Sequence, residues 1–415
     1  MHKPACQLNV ESLETRITPA SGISLTSGVL KIVGTTGNDK IFIQVDPSNA
    51  TKIQAILQYG STTVSQSYAK TSVSSISVTE TAGNNSIVNN TSVNMIAQGG
   101  AGNDTIWGGH GKDTLMGGGG NDKIMARGSA DSLVAGDGSD TLWAGAGADT
   151  LVAGHGDDIL VGGSGHDFLY GGDGNDTLFG GTGAETLQGG SGMELLYGGS
   201  GAQLLKGTTG DDTIVGGTGN QTLIAGSAGD VLFGGNGNQL LQGGIGNDTI
   251  YAGTGKQTLL GGAGADQLVG GHGDQLLDGG DGNNTIWGGI GDDTLKAGSG
   301  NNQLIGGQGN QLLQVGDGNN SLWGGAGADT LICGNGNDYA QAGTGNQTIY
   351  GGNGHDTLVG GTGADYINGE GGSDVMWGGT LASTLIGGQG NDTIIGGASH
   401  ADLITPGPGQ NVIYR

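Results

Sequence analysis

The chain has little of what most folds rely on. Its 415 residues include two cysteines, five prolines, 4% aromatic residues and 12% charged residues. Cys6 and Cys333 form no disulfide framework and no metal-ligand spacing. They read as free thiols, one near the N-terminus and one in a glycine-rich turn. Only 13 basic residues stand against 38 acidic ones, a net charge of −25. That balance argues against nucleic-acid binding, because phosphate contacts need Lys and Arg. No apolar run approaches the roughly 18 residues of a membrane-spanning helix. Collagen is excluded, since glycine does not recur every third residue. What is abundant is glycine itself, 97 residues. So much glycine argues against an ordinary packed core, because each glycine loses backbone entropy and adds no side chain. A soluble acidic repeat protein, or disorder, remains.

Internal repetition decides between them. From Gly99 to Ile404 the sequence divides into 34 successive nonapeptides, the first being Gly99-Gly100-Ala101-Gly102-Asn103-Asp104-Thr105-Ile106-Trp107. Position 2 is glycine in 31 units and position 4 in 30; position 8 is Leu or Ile in 32, with Ala340 and Met376 in the other two. Position 6 is Asp in 20 units, Glu in 2, Gln in 7 and Asn in 3, with Ser383 and Ala401 completing the column. Six glycine-rich residues predict a turn needing backbone conformations that a Cβ obstructs. The last three predict a short strand whose middle side chain points inward. So short a strand must stack on copies of itself. All five prolines lie outside the repeats, as expected of a stack that uses every backbone N–H.

The position-6 column also sets the coil length. Gln occurs only in even-numbered units and Asn only in odd ones; from Gln203 to Gln275 the column alternates Gln with Asp212, Asp230, Asp248 and Asp266. A nine-residue coil gives no reason for alternation. Two units per 18-residue coil do, with odd turns on one edge and even turns on the other.

The pattern closely resembles the RTX, or hemolysin-type, calcium-binding nonapeptide family. The resemblance implies an all-β parallel β-roll solenoid, about 17 coils over residues 99–404, with multiple Ca2+ ions between turns of successive coils. Asp carboxylates and turn carbonyls would hold them. On this resemblance the metal ligands are Asp104, Asp113, Asp122, Asp131, Asp140, Asp149, Asp158, Asp167 and Asp176 on both edges, then Asp212, Asp230, Asp248, Asp266, Asp338, Asp356, Asp374 and Asp392 on the odd edge. The chemistry is consistent: Ca2+ takes six to eight hard oxygen ligands, and carboxylates stacked about 4.8 Å apart repel unless a cation lies between them. The alternative reading of the column is a solvated acidic surface that keeps a rod soluble. Glu185 and Glu194 are longer and should coordinate less well. Where Gln and Asn replace Asp, the expectation is amide ladders without metal.

All five tryptophans, Trp107, Trp143, Trp287, Trp323 and Trp377, occupy position 9 of odd units, so they should lie outward on one sheet. That surface serves either cross-strand pairing or contact with a partner: copies of the chain, a cell surface or a glycan. Catalysis finds no support. The seven histidines show no metalloprotease spacing, and the 98 residues before the repeats and 11 after them leave little for a catalytic domain. Residues 1–20 are expected to be a leader or targeting segment without the apolar core of a standard signal peptide. Residues 21–98 should form an irregular β cap with degenerate turns, and 405–415 a short tail. The expected protein is a secreted or cell-surface, non-catalytic calcium-binding rod that leaves a low-calcium cytoplasm unfolded and folds outside. An adhesin or surface-layer component, or a non-catalytic piece of an RTX toxin or enzyme, are the alternatives.

Overall fold

The structure is a computed structural model that describes residues 21–398 and 401–415; the expected leader at 1–20 lies outside the described residues. Apart from a three-residue 3-10 turn at Lys70–Ser72, the regular elements are all strands. They belong to two long sheets facing each other across a thin core, and from residue 75 onward consecutive strands alternate between the sheets.

Local sequence explains the turns. At Gly118 and Gly120 the backbone has φ of 127° and 116°. A Cβ on Gly118 would lie 1.9 Å from the Gly100 carbonyl oxygen, and one on Gly120 would lie 2.4 Å from that of Gly102. These are positions 2 and 4, and the obstructing atom belongs to the coil 18 residues earlier. The glycines are thus required by φ and by stacking together. Where Arg127, Ser129, Thr208, Ala228 and Glu370 replace them, the positive φ persists, a strained conformation for an L side chain.

Strand pairing is parallel with an 18-residue offset: Thr213 pairs with Val231, Ile214 with Leu232 and Gly217 with Gly235. This is the coil that the Gln alternation predicts. Most strands are longer than the expected three residues, as in Thr213–Thr218, because pairing continues through positions 2 and 3 of the next unit. Position 8 is the core. From Ile106 to Ile394 its side chains are fully buried. Position 1 faces inward as well and carries only small residues or the occasional Val315 or Cys333. Cys333, expected in a turn, is instead a core side chain at 4% exposure, and burial pushes its thiol pKa well up.

The stack is longer than the repeat pattern indicates. Strands β1 (Gly22–Thr26) and β2 (Val29–Val33) pair antiparallel, as do β3 (Asp39–Val45), β4 (Lys52–Tyr59) and β5 (Thr62–Ala69). From β6 (Ser75–Thr79) and β7 (Ser86–Asn89) onward each coil adds one strand to each sheet, parallel to the strand of the preceding coil, so about nineteen coils succeed one another to the last strand at Val412–Tyr414. β2 and β3 sit directly beneath β6 and β7, and the antiparallel hairpins cover that end. Near the other end the nine-residue phase breaks once. Leu385 pairs with Ile404 rather than Leu403, an offset of 19. Leu403 is consequently 64% exposed, although its place in the sequence pattern is a core position.

A column of buried carboxylates on each edge

Position 6 ends the turn and precedes the strand, and its side chain points inward at the corner. Asp104, Asp122, Asp140, Asp158, Asp176, Asp212, Asp230, Asp248, Asp266, Asp338, Asp356, Asp374 and Asp392 lie on the odd edge; Asp113, Asp131, Asp149 and Asp167 lie on the even edge. All are buried, none more than 3% exposed. A solvated acidic surface is therefore not what the sequence encodes. Asp293, Asp329 and Asp365 occupy the same buried column on the even edge. They lie outside the expected set, although column 6 of the repeat itself marks them.

Each carboxylate is used asymmetrically. Oδ1 accepts the backbone N–H of the position-6 residue one coil earlier: Asp104 N–H donates to Asp122 Oδ1 at 2.7 Å, and Asp122 N–H to Asp140 Oδ1 at 2.6 Å. The same bond recurs along the even edge, as from Asp131 to Asp149 at 2.7 Å. Oδ2 of every position-6 Asp is buried without a hydrogen-bond partner. None of these carboxylates is in either of the two ion pairs found among the described residues, His155–Asp173 and Lys256–Asp274, which are solvent-exposed. Burial is the chief cause that raises these carboxyl pKa values. The donated N–H works against it and the neighbouring carboxylate usually adds to it. Asp113, Asp122, Asp158, Asp212 and Asp356 are pushed up to about 7. Asp131, Asp176, Asp230, Asp266 and Asp374 rise to about 6.

The Asn residues show what the orphaned oxygen faces. Asn302 has the shape of Asp, and its Oδ1 likewise accepts an N–H, from Asn284 at 2.9 Å. Its Nδ2 donates to the Gly298 and Gly300 carbonyls at 3.3 and 3.2 Å, positions 2 and 4 of its own turn. Asn284 and Asn320 do the same. In an Asp turn the atom isosteric with that Nδ2 is Oδ2, an acceptor buried without a partner where the Asn turn has a donor. Such an all-oxygen, cation-deficient corner fits a hard divalent ion. Among the described residues no three His, Cys, Asp or Glu side chains cluster as a metal site, so the donor set must draw on backbone carbonyls.

The expected Gln ladder is not formed. Gln203, Gln221, Gln239 and Gln257 direct Nε2 to turn carbonyls, Gln203 to Gly181 O at 3.3 Å and Gln221 to Gly199 O at 3.2 Å, while their Oε1 atoms have no partner. Among the position-6 amides, side-chain laddering occurs in the Asn run, where Asn302 Nδ2 also reaches Asn320 Oδ1 at 3.1 Å.

A second ladder was not anticipated. Position 5 is exposed, yet its Asn and Asp side chains accept the N–H of the position-5 residue one coil later, as in Asn121 N–H to Asn103 Oδ1 at 2.8 Å. This ladder points the opposite way to the inner one. The frequent Asn at position 5 was its sequence signal. The phase break moves the last corners as well: Asp402, not Ala401, accepts the Ser383 N–H at 2.8 Å.

A family model described as RTX calcium-binding nonapeptide repeat (4 copies) matches residues 96–124 and 126–160, and then overlapping or abutting segments through 377–413. No curated protein matches the chain.

Proposed function

Because the chain belongs to the RTX calcium-binding nonapeptide-repeat family, we propose that its buried acidic corners take up Ca2+ and that this uptake drives folding of an extracellular, non-catalytic rod. The observation that carries the reading is the unpartnered Oδ2 at every position-6 Asp, set against Asn corners in which an N–H donor fills the same place. The residues that would hold the ions are the seventeen Asp expected from sequence, joined by Asp293, Asp329 and Asp365, each with carbonyls of its glycine-rich turn. Bound Ca2+ supplies the positive charge that the column lacks. The chain's own contribution is to bury the carboxylates, fix one oxygen of each by a backbone N–H, and leave the other oriented in the turn. Without a cation, stacked buried carboxylates oppose folding. Metal-binding free energy is then folding free energy. Such a chain stays unfolded in a low-calcium cytoplasm and folds after secretion.

Replacing Asp122, Asp140 and Asp158 together with Asn tests this reading. The expected result is a lower calorimetric Ca2+ stoichiometry with the β-sheet signal retained. An unchanged stoichiometry contradicts it.

A second reading concerns what the rod does. Position 9 on the odd sheet is a row in which Trp143, Val161, Phe179, Tyr197, Val215, Phe233 and Tyr251 pair in sequence, broken by a polar residue at Gln341, between Trp323 and Val359. Phe179 and Tyr197 stack with ring centroids 5.0 Å apart and planes within 3°, and Phe233 and Tyr251 repeat this at 5.1 Å. The same row on the even sheet is interrupted by Gln188, Lys206, Gln242, Asp278 and Lys296. A one-sided apolar strip supports lateral self-association or attachment to a cell surface or glycan.

A further inference from the structure

The corners differ in how completely they satisfy themselves. At an Asp corner one buried oxygen is left over. At Gln203, Gln221, Gln239 and Gln257 the N–H donors are used and the oxygen is left over, while Gln275 leaves both ends of its amide unpartnered. Five amide corners leave nothing over. Asn284, Asn302 and Asn320 on the odd edge accept a backbone N–H at Oδ1 and donate Nδ2 to two carbonyls of their own turn. Gln311 and Gln347 on the even edge accept the N–H of Asp293 and Asp329 at 3.0 and 2.7 Å. They donate Nε2 to the Gly291 and Gly327 carbonyls at 2.8 and 3.0 Å.

Four of these five fall close together. From Asn284 to Asn320 the successive corners are Asn284, Asp293, Asn302, Gln311 and Asn320, so one acid stands among four self-satisfied amides. On the N-terminal side, Asp104 to Glu194 is an arm in which every corner is acidic, and beyond Asn320 acids again predominate.

We propose that the coils spanning Asn284–Asn320 form a calcium-independent nucleus, in which side-chain NH2 groups take the turn carbonyls that elsewhere call for a cation. The inference rests on the reading of the Asp corners as calcium sites and adds that calcium dependence is segmented along the rod. The physical reason is the asymmetry of buried polar groups. A satisfied amide adds a modest stabilisation, whereas an unpaired buried acceptor carries its full desolvation penalty. In the nucleus that penalty falls on one corner, Asp293, and in the acidic arm it falls on every corner. The nucleus would hold a folded template on which the arms add coils in either direction when calcium arrives, as stacked repeats propagate from neighbours.

Hydrogen–deuterium exchange on the full chain, in EDTA and in calcium chloride, tests this. In EDTA, peptides from 284–320 should exchange roughly tenfold or more slowly than those from 104–194, local opening being governed by local stability. Calcium should then protect the arm. A variant carrying Asn284→Asp, Asn302→Asp and Asn320→Asp should lose the protection in EDTA, regain it in calcium, and bind more Ca2+ ions by native mass spectrometry than the wild type. Exchange in EDTA that is equal across nucleus and arm overturns the proposal, as does a triple variant with unchanged EDTA protection. An arm that calcium fails to protect contradicts the calcium reading of the Asp corners instead, while nucleus protection in EDTA is read separately.

Discussion

At the scale of the residue, neighbouring glycines have unequal roles. Gly118 has positive φ and its Cβ site is blocked by a carbonyl oxygen of the preceding coil, whereas a Cβ on Gly119 would meet nothing within 4 Å. Gly118→Ala should therefore destabilise the calcium-loaded fold by on the order of 2 kcal/mol, and Gly119→Ala should be near neutral. Thermal melts of the two variants check this, and equal effects would contradict the stacking argument. Core truncation offers a second comparison. Leu259 is fully buried, so Leu259→Ala should cost about 2–5 kcal/mol, with the same melts as readout. The core is only two aliphatic side chains and two small residues thick per coil, so little can shift to fill the cavity.

At the scale of the element, the edge column links charge to pH. An unfolded Asp titrates near 3.9, whereas Asp122 and Asp212 in the fold titrate at about 7 and Asp230 at about 6. Between those values the folded state holds more protons than the unfolded one, so stability falls as pH rises through the window and is greatest below it. Metal-free protein should gain β-sheet circular dichroism on acidification from about pH 7.5 to about pH 4.5; a signal that rises with pH would contradict the buried column. Calcium inverts the trend, since its ligands must be ionised. The column, its 18-residue coil and its two edges were legible in the sequence because Gln and Asn segregate by unit parity. Its burial was not legible, because Asp is ordinarily exposed and only the coil closure turns position 6 inward. The extra coils at 75–98 escaped because β4 and β5 insert between paired strands and separate Lys40 from its partner Ser86 by 46 residues. The shift from Ala401 to Asp402 escaped because a single added residue leaves the glycine pattern nearly intact.

At the scale of the whole molecule, about nineteen coils rising roughly 4.8 Å each make a rod about 90 Å long. No helix among the described residues is long and apolar enough to cross a membrane. Its most distinctive outer feature is the apolar row bearing Trp107, Trp143, Trp287, Trp323 and Trp377. If that row mediates self-association, changing the five Trp to Ser should abolish calcium-dependent assembly in sedimentation velocity and leave the β signal intact; unchanged sedimentation would remove the row from the account. The central claim is that cation uptake at the acidic corners is what folds the rod. It is tested most directly by titrating Ca2+ into the metal-free protein at neutral pH, following far-UV circular dichroism together with calorimetric stoichiometry. The account predicts that β signal appears as many ions bind, fewer than one per repeat because the amide corners take none. A metal-free protein that is already fully β and binds few ions would contradict it.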